Sequence, residues 1–144
     1  MLNRDWIAAH IPHHGSMCLL HTVLEWNDQH IVCEAIGHGA PDHPLREQGR
    51  LGAVVGVEYA AQAMAVHGAL LASEATPVGQ GYLTSVRGLS LNVDRLDDLP
   101  GPIRVSAERL SGDVRLVLYQ FELEHCGVRL LEGRASVVLD AHAL

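Results

Sequence analysis

The residues best suited to chemistry in this chain are Glu58 and Gln62, within Gly56-Val57-Glu58-Tyr59-Ala60-Ala61-Gln62. They lie in the run from Leu51 to Ala72, which has no Lys, Arg or Asp and one carboxylate, Glu58. A lone carboxyl among apolar residues is costly to bury unless it is paired or neutral. Gln62 stands one turn later on the same helix face, where an amide can hydrogen-bond and orient that carboxyl. The spacing therefore predicts an acid–base residue, Glu58, held by Gln62 in an apolar tunnel. The plain alternative is an ordinary core helix with Glu58 at an exposed position.

The helix that must carry this pair spans about six turns. Its small residues, among them Gly52, Ala53, Gly56, Ala60 and Ala61, allow other backbone to approach closely. About 20 apolar residues also suffice to cross a bilayer. Glu58, Gln62 and His67 in a single Ala- and Gly-rich segment argue against that, because an intramembrane carboxylate is expensive.

With 144 residues, 48% of them hydrophobic, the chain is expected to form one domain over residues 1–144 with a sizeable core. A net charge of −7 excludes general nucleic-acid binding, which needs a basic face to displace counterions. All ten basic residues are Arg. The absence of Lys excludes Schiff-base chemistry and a phosphate-loop lysine. Met1-Leu2-Asn3-Arg4-Asp5-Trp6 lacks the apolar stretch of a signal peptide, and Cys18, Cys33 and Cys126 are odd in number and widely spaced. Reduced thiols and a cytoplasmic location are the expectation. The histidines His10, His13 and His14 are broken up by Pro12 and Gly15, and no Cys pair has zinc spacing, so no metal site is assigned.

Along the chain the pattern predicts a short helix over Asn3–Ala9, a turn at residues 11–15, and strands over Cys18–Trp26 and His30–Gly37 joined at Asn27-Asp28-Gln29. A polar, irregular link from Gly39 to Arg50 leads into the long helix, which is expected to end between Ser73 and Pro77. Period-two segments follow: Gln80–Val93 bent at Gly88, a strand alternating about Ile103, Val105 and Ala107, one alternating about Val117, Tyr119, Phe121 and Leu123, and Val128–Leu139. Ser111-Gly112-Asp113 and His125-Cys126-Gly127 supply hairpin turns. The fold class is α+β: a long central helix wrapped by an antiparallel sheet of five or six strands, the hotdog arrangement. One sheet cannot cover such a helix fully, so pairing with a second copy or a related subunit is expected.

These segments resemble a known family. Ile11-Pro12-His13-His14-Gly15-Ser16-Met17-Cys18-Leu19-Leu20 is similar to the opening motif of the hotdog β-hydroxyacyl-(acyl carrier protein) dehydratases. The Glu58/Gln62 segment resembles their central-helix motif. Gly81-Tyr82-Leu83-Thr84-Ser85-Val86-Arg87, the Pro100-Gly101 turn and Gly133-Arg134-Ala135 fall where that family has comparable segments. Within it, the resemblance is to the divergent ApeP-like subgroup found with aryl-polyene pigment clusters.

The resemblance implies elimination of water from a (3R)-hydroxyacyl thioester to give the trans-2-enoyl thioester, in fatty-acid or polyene biosynthesis. A histidine removes the C2 proton, and a carboxyl from the partner subunit protonates the departing 3-hydroxyl. By position the base is His43, with His38 as backup, and the acid is Glu58. Helix-start amides, with Gly52 at that start, orient and polarise the thioester carbonyl. The substrate rides on phosphopantetheine, so no cofactor is implied. The implied partners are an acyl carrier protein, docked by Arg46, Arg50 and Arg87 (or Arg95 in its place), and a hotdog subunit in a homodimer or heterodimer. His13 and His14 are assigned to fixing the early loop, and His67 to the helix core. The family's Phe-Pro-Gly and second Pro-Gly after the histidine are absent: His43 is followed by Pro44-Leu45-Arg46, one residue further from Glu58 than the family spacing. That departure keeps two other readings open, a hotdog thioesterase using Glu58 and a non-catalytic subunit of an active dehydratase.

Overall fold

A computed structural model describes residues 1–11, 15–72, 82–113 and 115–138. The first helix, α1, runs from Arg4 to His10, and the Asn3 side chain caps it by accepting from the Trp6 N–H at 3.0 Å. A short 3-10 turn follows at Gly15–Met17. Strands β1 (Thr22–Trp26) and β2 (His30–Ala35) form a hairpin. Asn27 closes its loop by accepting from the N–H groups of Gln29 and His30. β1 starts later than the sequence pattern suggests: the Leu19 N–H turns to the Gln62 side chain, and the His21 N–H bonds to the Glu34 carbonyl just ahead of the strand.

The central helix opens with a 3-10 turn, Ala53–Val55, and continues as α2, Gly56–Leu71. The predicted end of this helix and the start of the next strand fall on residues 73–81, outside the described part, as do Pro12, His13, His14 and Leu139. Then come β3 (Tyr82–Leu91), β4 (Ile103–Gly112), β5 (Leu116–His125) and β6 (Val128–Val138). The six strands form one sheet in the order β1-β2-β4-β5-β6-β3, with every neighbouring pair antiparallel.

Register explains why one face of this sheet is apolar. Ile31 stands opposite Ala107, Cys33 opposite Val105, and Ala35 opposite Ile103. Ala107 in turn faces Phe121, and Val105 faces Leu123. All of these side chains are buried, and α2 packs across them against β2, β4 and β5. Small residues are needed where strands crowd. A methyl group on Gly133 would lie 2.9 Å from Phe121 Cζ, and one on Gly56 would lie 2.5 Å from Leu131 Cδ2. β3 does bend at Gly88, whose φ of +60° accompanies a register shift between Arg87 and Ser90.

The run Ala53–Leu71 is long and apolar enough to cross a membrane by length and composition, and here the sheet wraps it. No residue of α2 is exposed, but Val57, Glu58, Ala61, Ala65, Gly68 and Ala69 are only half-buried. Their spacing marks one helix face that the sheet leaves partly open. On the opposite side His67 is fully buried. Its Nε2–H donates to the Asn27 carbonyl at 2.7 Å, and its Nδ1 accepts from the Tyr119 hydroxyl at 2.7 Å. At the sheet edges, Leu2 bridges to Val23 on β1, whereas β3 pairs only with β6 among the described residues. Leu83, Leu89 and Leu91 are exposed along that open strand.

Candidate active site

Glu58 sits in the first turn of α2, on the partly open face. Gln62 is fully buried one turn later, and its Nε2 lies 3.5 Å from Glu58 Oε1. The amide is held from two other directions. Its Oε1 accepts from the Leu19 N–H at 2.9 Å, and its Nε2 donates to the Met17 carbonyl at 2.7 Å. These contacts leave one orientation of the amide, with its NH2 toward Glu58. Arg4 secures the same segment from outside by donating to the carbonyls of Gly15 and Cys18, at 2.7 and 3.1 Å. The opening motif thus reaches Glu58 through Gln62.

The link before the helix is tightly ordered despite its polar sequence. Ala40 N–H bonds to Gly37, His43 N–H to Ala40, and Arg46 N–H to His43, a series of turns. Glu47 and Arg50 then pair back on each other across Gln48 and Gly49, whose φ values of 52° and 77° are left-handed. Gly52 and Arg95 bridge, and Asp97 accepts from the Leu51 N–H at 2.9 Å and from Arg95 Nε at 3.0 Å. The Arg95 guanidinium and the Leu51 N–H hold the Asp97 carboxyl well below the usual carboxylate range. The start of the helix, with Gly52, is therefore pinned to the loop after β3.

His43 is buried, with Nδ1 3.1 Å from the Leu45 N–H and Nε2 2.9 Å from the Tyr59 hydroxyl. Burial, then the nearby Arg46 and His38, lower its pKa, so the ring is neutral at neutral pH. Consecutive residues on a helix point about 100° apart. Holding Tyr59 therefore does not bring His43 onto the Glu58 face of the same chain. His38, the backup base, is buried as well. Its Nε2–H donates to the Leu99 carbonyl at 2.8 Å, and its Nδ1 has no partner among the described residues.

The arginines separate into two kinds. Arg50 and Arg87 are exposed. Arg46 is mostly buried, donates to the carbonyls of Gly49 and Gly39 at 2.8 and 3.1 Å, and stands 4.0 Å from Asp97. Its guanidinium braces the 39–49 link and is not a free surface charge. Tyr59 and Asp97 are the site residues that sequence reasoning missed. Tyr59 had a signal, as the one Phe, Tyr or Trp in the run Leu51–Ala72. Asp97 had none, since an acidic loop residue beside Asp98 reads as surface. Among the described residues no group of three or more His, Cys, Asp or Glu could hold a metal ion.

Comparison with known proteins places this geometry in a family. A structure of the dehydratase heterocomplex ApeI:P from Xenorhabdus doucetiae is similar with a TM-score of 0.84 at 22% identity, over 99% of this chain and 94% of that one. Thioesterase superfamily member 2 from zebrafish superposes with a TM-score of 0.66 at 15% identity, over 95% of each chain. A thioesterase from Haemophilus influenzae does so with a TM-score of 0.60 at 13% identity, over 85% of this chain and 82% of that one. At such identities these likenesses establish the hotdog fold. No curated protein matches the sequence. The family model for ApeP-like proteins, described as ApeP dehydratase, matches residues 6–143. The chain belongs to the ApeP-like dehydratase family.

Proposed function

We propose that this chain is one subunit of a paired hotdog dehydratase that converts a (3R)-hydroxyacyl-(acyl carrier protein) thioester to the trans-2-enoyl thioester. The observation that carries this reading is Glu58 on the partly open helix face, oriented by a Gln62 anchored at Met17 and Leu19. His43 removes the C2 proton, and the electrons of that C–H bond become the C2–C3 double bond. The C3–O bond breaks toward oxygen, which takes a proton from Glu58 and leaves as water. The amides at the start of the helix, near Gly52, stabilise negative charge on the thioester oxygen. The reaction needs no metal or redox cofactor, since the phosphopantetheine arm only carries the substrate.

In this reading the site is completed between subunits, with His43 held at Tyr59, about 100° around the helix from Glu58. The open edge of β3, the half-buried stripe on α2 and the similar heterocomplex all support such pairing. Arg50 and Arg87 are exposed positive groups that an acidic carrier protein could engage. Arg46 supports that surface from beneath. Three unpaired thiols accord with a reducing cytoplasm.

The hydrogen bonds at His43 favour a second reading, that the chain completes and stabilises a catalytic partner without supplying the base. One assay separates these readings from thioester hydrolysis. The purified chain, alone and with a cognate hotdog partner, receives a 3-hydroxyacyl carrier-protein thioester, and the product mass is measured. Loss of one water that disappears in Glu58→Gln and His43→Ala is the expected result. Free acid would support a thioesterase. Water loss that needs the partner and survives His43→Ala would support the second reading, and undiminished activity in Glu58→Gln would refute the role of Glu58.

A further inference from the structure

Tyr59 is the bulky residue in a helix built mostly of small ones, and only 1% of it is exposed. Its hydroxyl meets His43 Nε2 at 2.9 Å, and the Leu45 N–H meets His43 Nδ1 at 3.1 Å. A backbone N–H can only donate, so Nδ1 must present its lone pair there. The single ring proton of neutral imidazole is then on Nε2, and the Tyr59 oxygen accepts it. Burial keeps the Tyr59 hydroxyl protonated, well above its ordinary range. Both nitrogens of His43 are engaged, and neither offers a lone pair to a substrate.

We propose that Tyr59 is a positioning residue that, with the Leu45 N–H, latches His43 to the central helix in its Nε2–H form and withholds the ring from proton abstraction until the 40–46 segment moves. The backbone favours such a unit. His43 N–H bonds to Ala40 and Arg46 N–H to the His43 carbonyl, so the turn carrying the ring moves as one piece once the Arg46 guanidinium releases Gly49 and Gly39. A base would be uncovered only when the Leu45 bond opens. The catalytic consequence rests on the dehydratase reading; the latch itself does not.

The test is long-range proton–nitrogen NMR on protein labelled with [15N]histidine, with the His43 signals assigned from His43→Gln. The wild-type ring is expected in the Nε2–H form at neutral pH. Tyr59→Phe removes one buried hydrogen bond, which shifts the ratio toward the Nδ1–H form by about two- to tenfold and speeds exchange of the Leu45 amide. A wild-type ring in the Nδ1–H form would overturn the latch, as would unchanged tautomer and exchange in Tyr59→Phe. Should Tyr59→Phe fail to fold, the wild-type tautomer and His43→Asn decide. Asn keeps a carbonyl oxygen near the Nδ1 position and is expected to preserve slow Leu45 exchange better than His43→Ala; equal exchange in the two refutes the latch. In the carrier-protein assay with its partner, a changed kcat at constant KM in Tyr59→Phe supports both the latch and His43 as base. A shifted tautomer with unchanged kcat supports the latch and removes His43 from the chemistry.

Discussion

Replacing Gln62 tests the link between the opening segment and the central helix. Gln62→Leu keeps most of the volume and removes every polar partner. The Leu19 N–H, buried at 2.9 Å from Oε1, loses its acceptor, and the Met17 carbonyl, 2.7 Å from Nε2, loses its donor. Each unmet buried group costs about 1–3 kcal/mol, so the variant, with two of them, should lose about 2–6 kcal/mol. Met17 is only half-buried, and water reaching its carbonyl favours the lower half of that range. For a chain of this size about 3 °C of melting temperature accompanies each kcal/mol, giving a fall of about 6–18 °C. Urea denaturation followed by circular dichroism measures the free energy, and amide exchange at Leu19 locates it. Gln62→Glu refines the test, because a second carboxyl beside Glu58 can still accept from Leu19 but must hold a proton to donate to Met17. Its stability should recover as pH falls. A Gln62→Leu protein within about 0.5 kcal/mol of wild type, with Leu19 exchange unchanged, would refute the reasoning.

Three further outcomes follow from the packing and the charges. Gly133→Ala should destabilise by about 1–3 kcal/mol, since its methyl would press on Phe121 at 2.9 and 3.3 Å; an unchanged thermal midpoint would show that the ring gives way freely. His67 has its pKa lowered below the ordinary 6.5, chiefly by burial, so the unfolded chain binds the proton first. Its contribution is full above pH 6.5 and declines as pH falls, and His67→Gln should flatten that slope in urea titrations; an identical slope in the variant would remove His67 as the cause. Asp97→Asn weakens the hold of the loop after β3 on the helix start, and should raise amide exchange at Leu51 and lower the melting temperature. Protection at Leu51 equal to wild type would contradict that role.

The parts of this fold that were legible depend on neighbours in sequence. Alternation over Ile103–Ala107 and Val117–Leu123 marked which side chains face the core, because a strand repeats every two residues. The apolar run ending near Ala72 marked the helix, and the spacing of Glu58 and Gln62 marked a carboxyl with an amide beside it, since helical neighbours are three or four apart. The bend at Gly88 was readable for the same reason, as a local demand for an unusual φ.

Contacts between distant segments were a different matter. Nothing in Met17 or Leu19 shows that they will hold an amide more than forty residues away, because that contact exists only once the sheet has closed around α2. The same holds for Arg46, which reads as a surface charge and turns inward to brace Gly39 and Gly49, and for Asp97 at the start of the helix. His43 shows the division most sharply. The sequence by itself determined that a histidine precedes the helix, fifteen residues before Glu58. Only the tertiary structure decided which nitrogen of that ring carries the proton, because burial against Tyr59 and the Leu45 N–H leaves one satisfied arrangement.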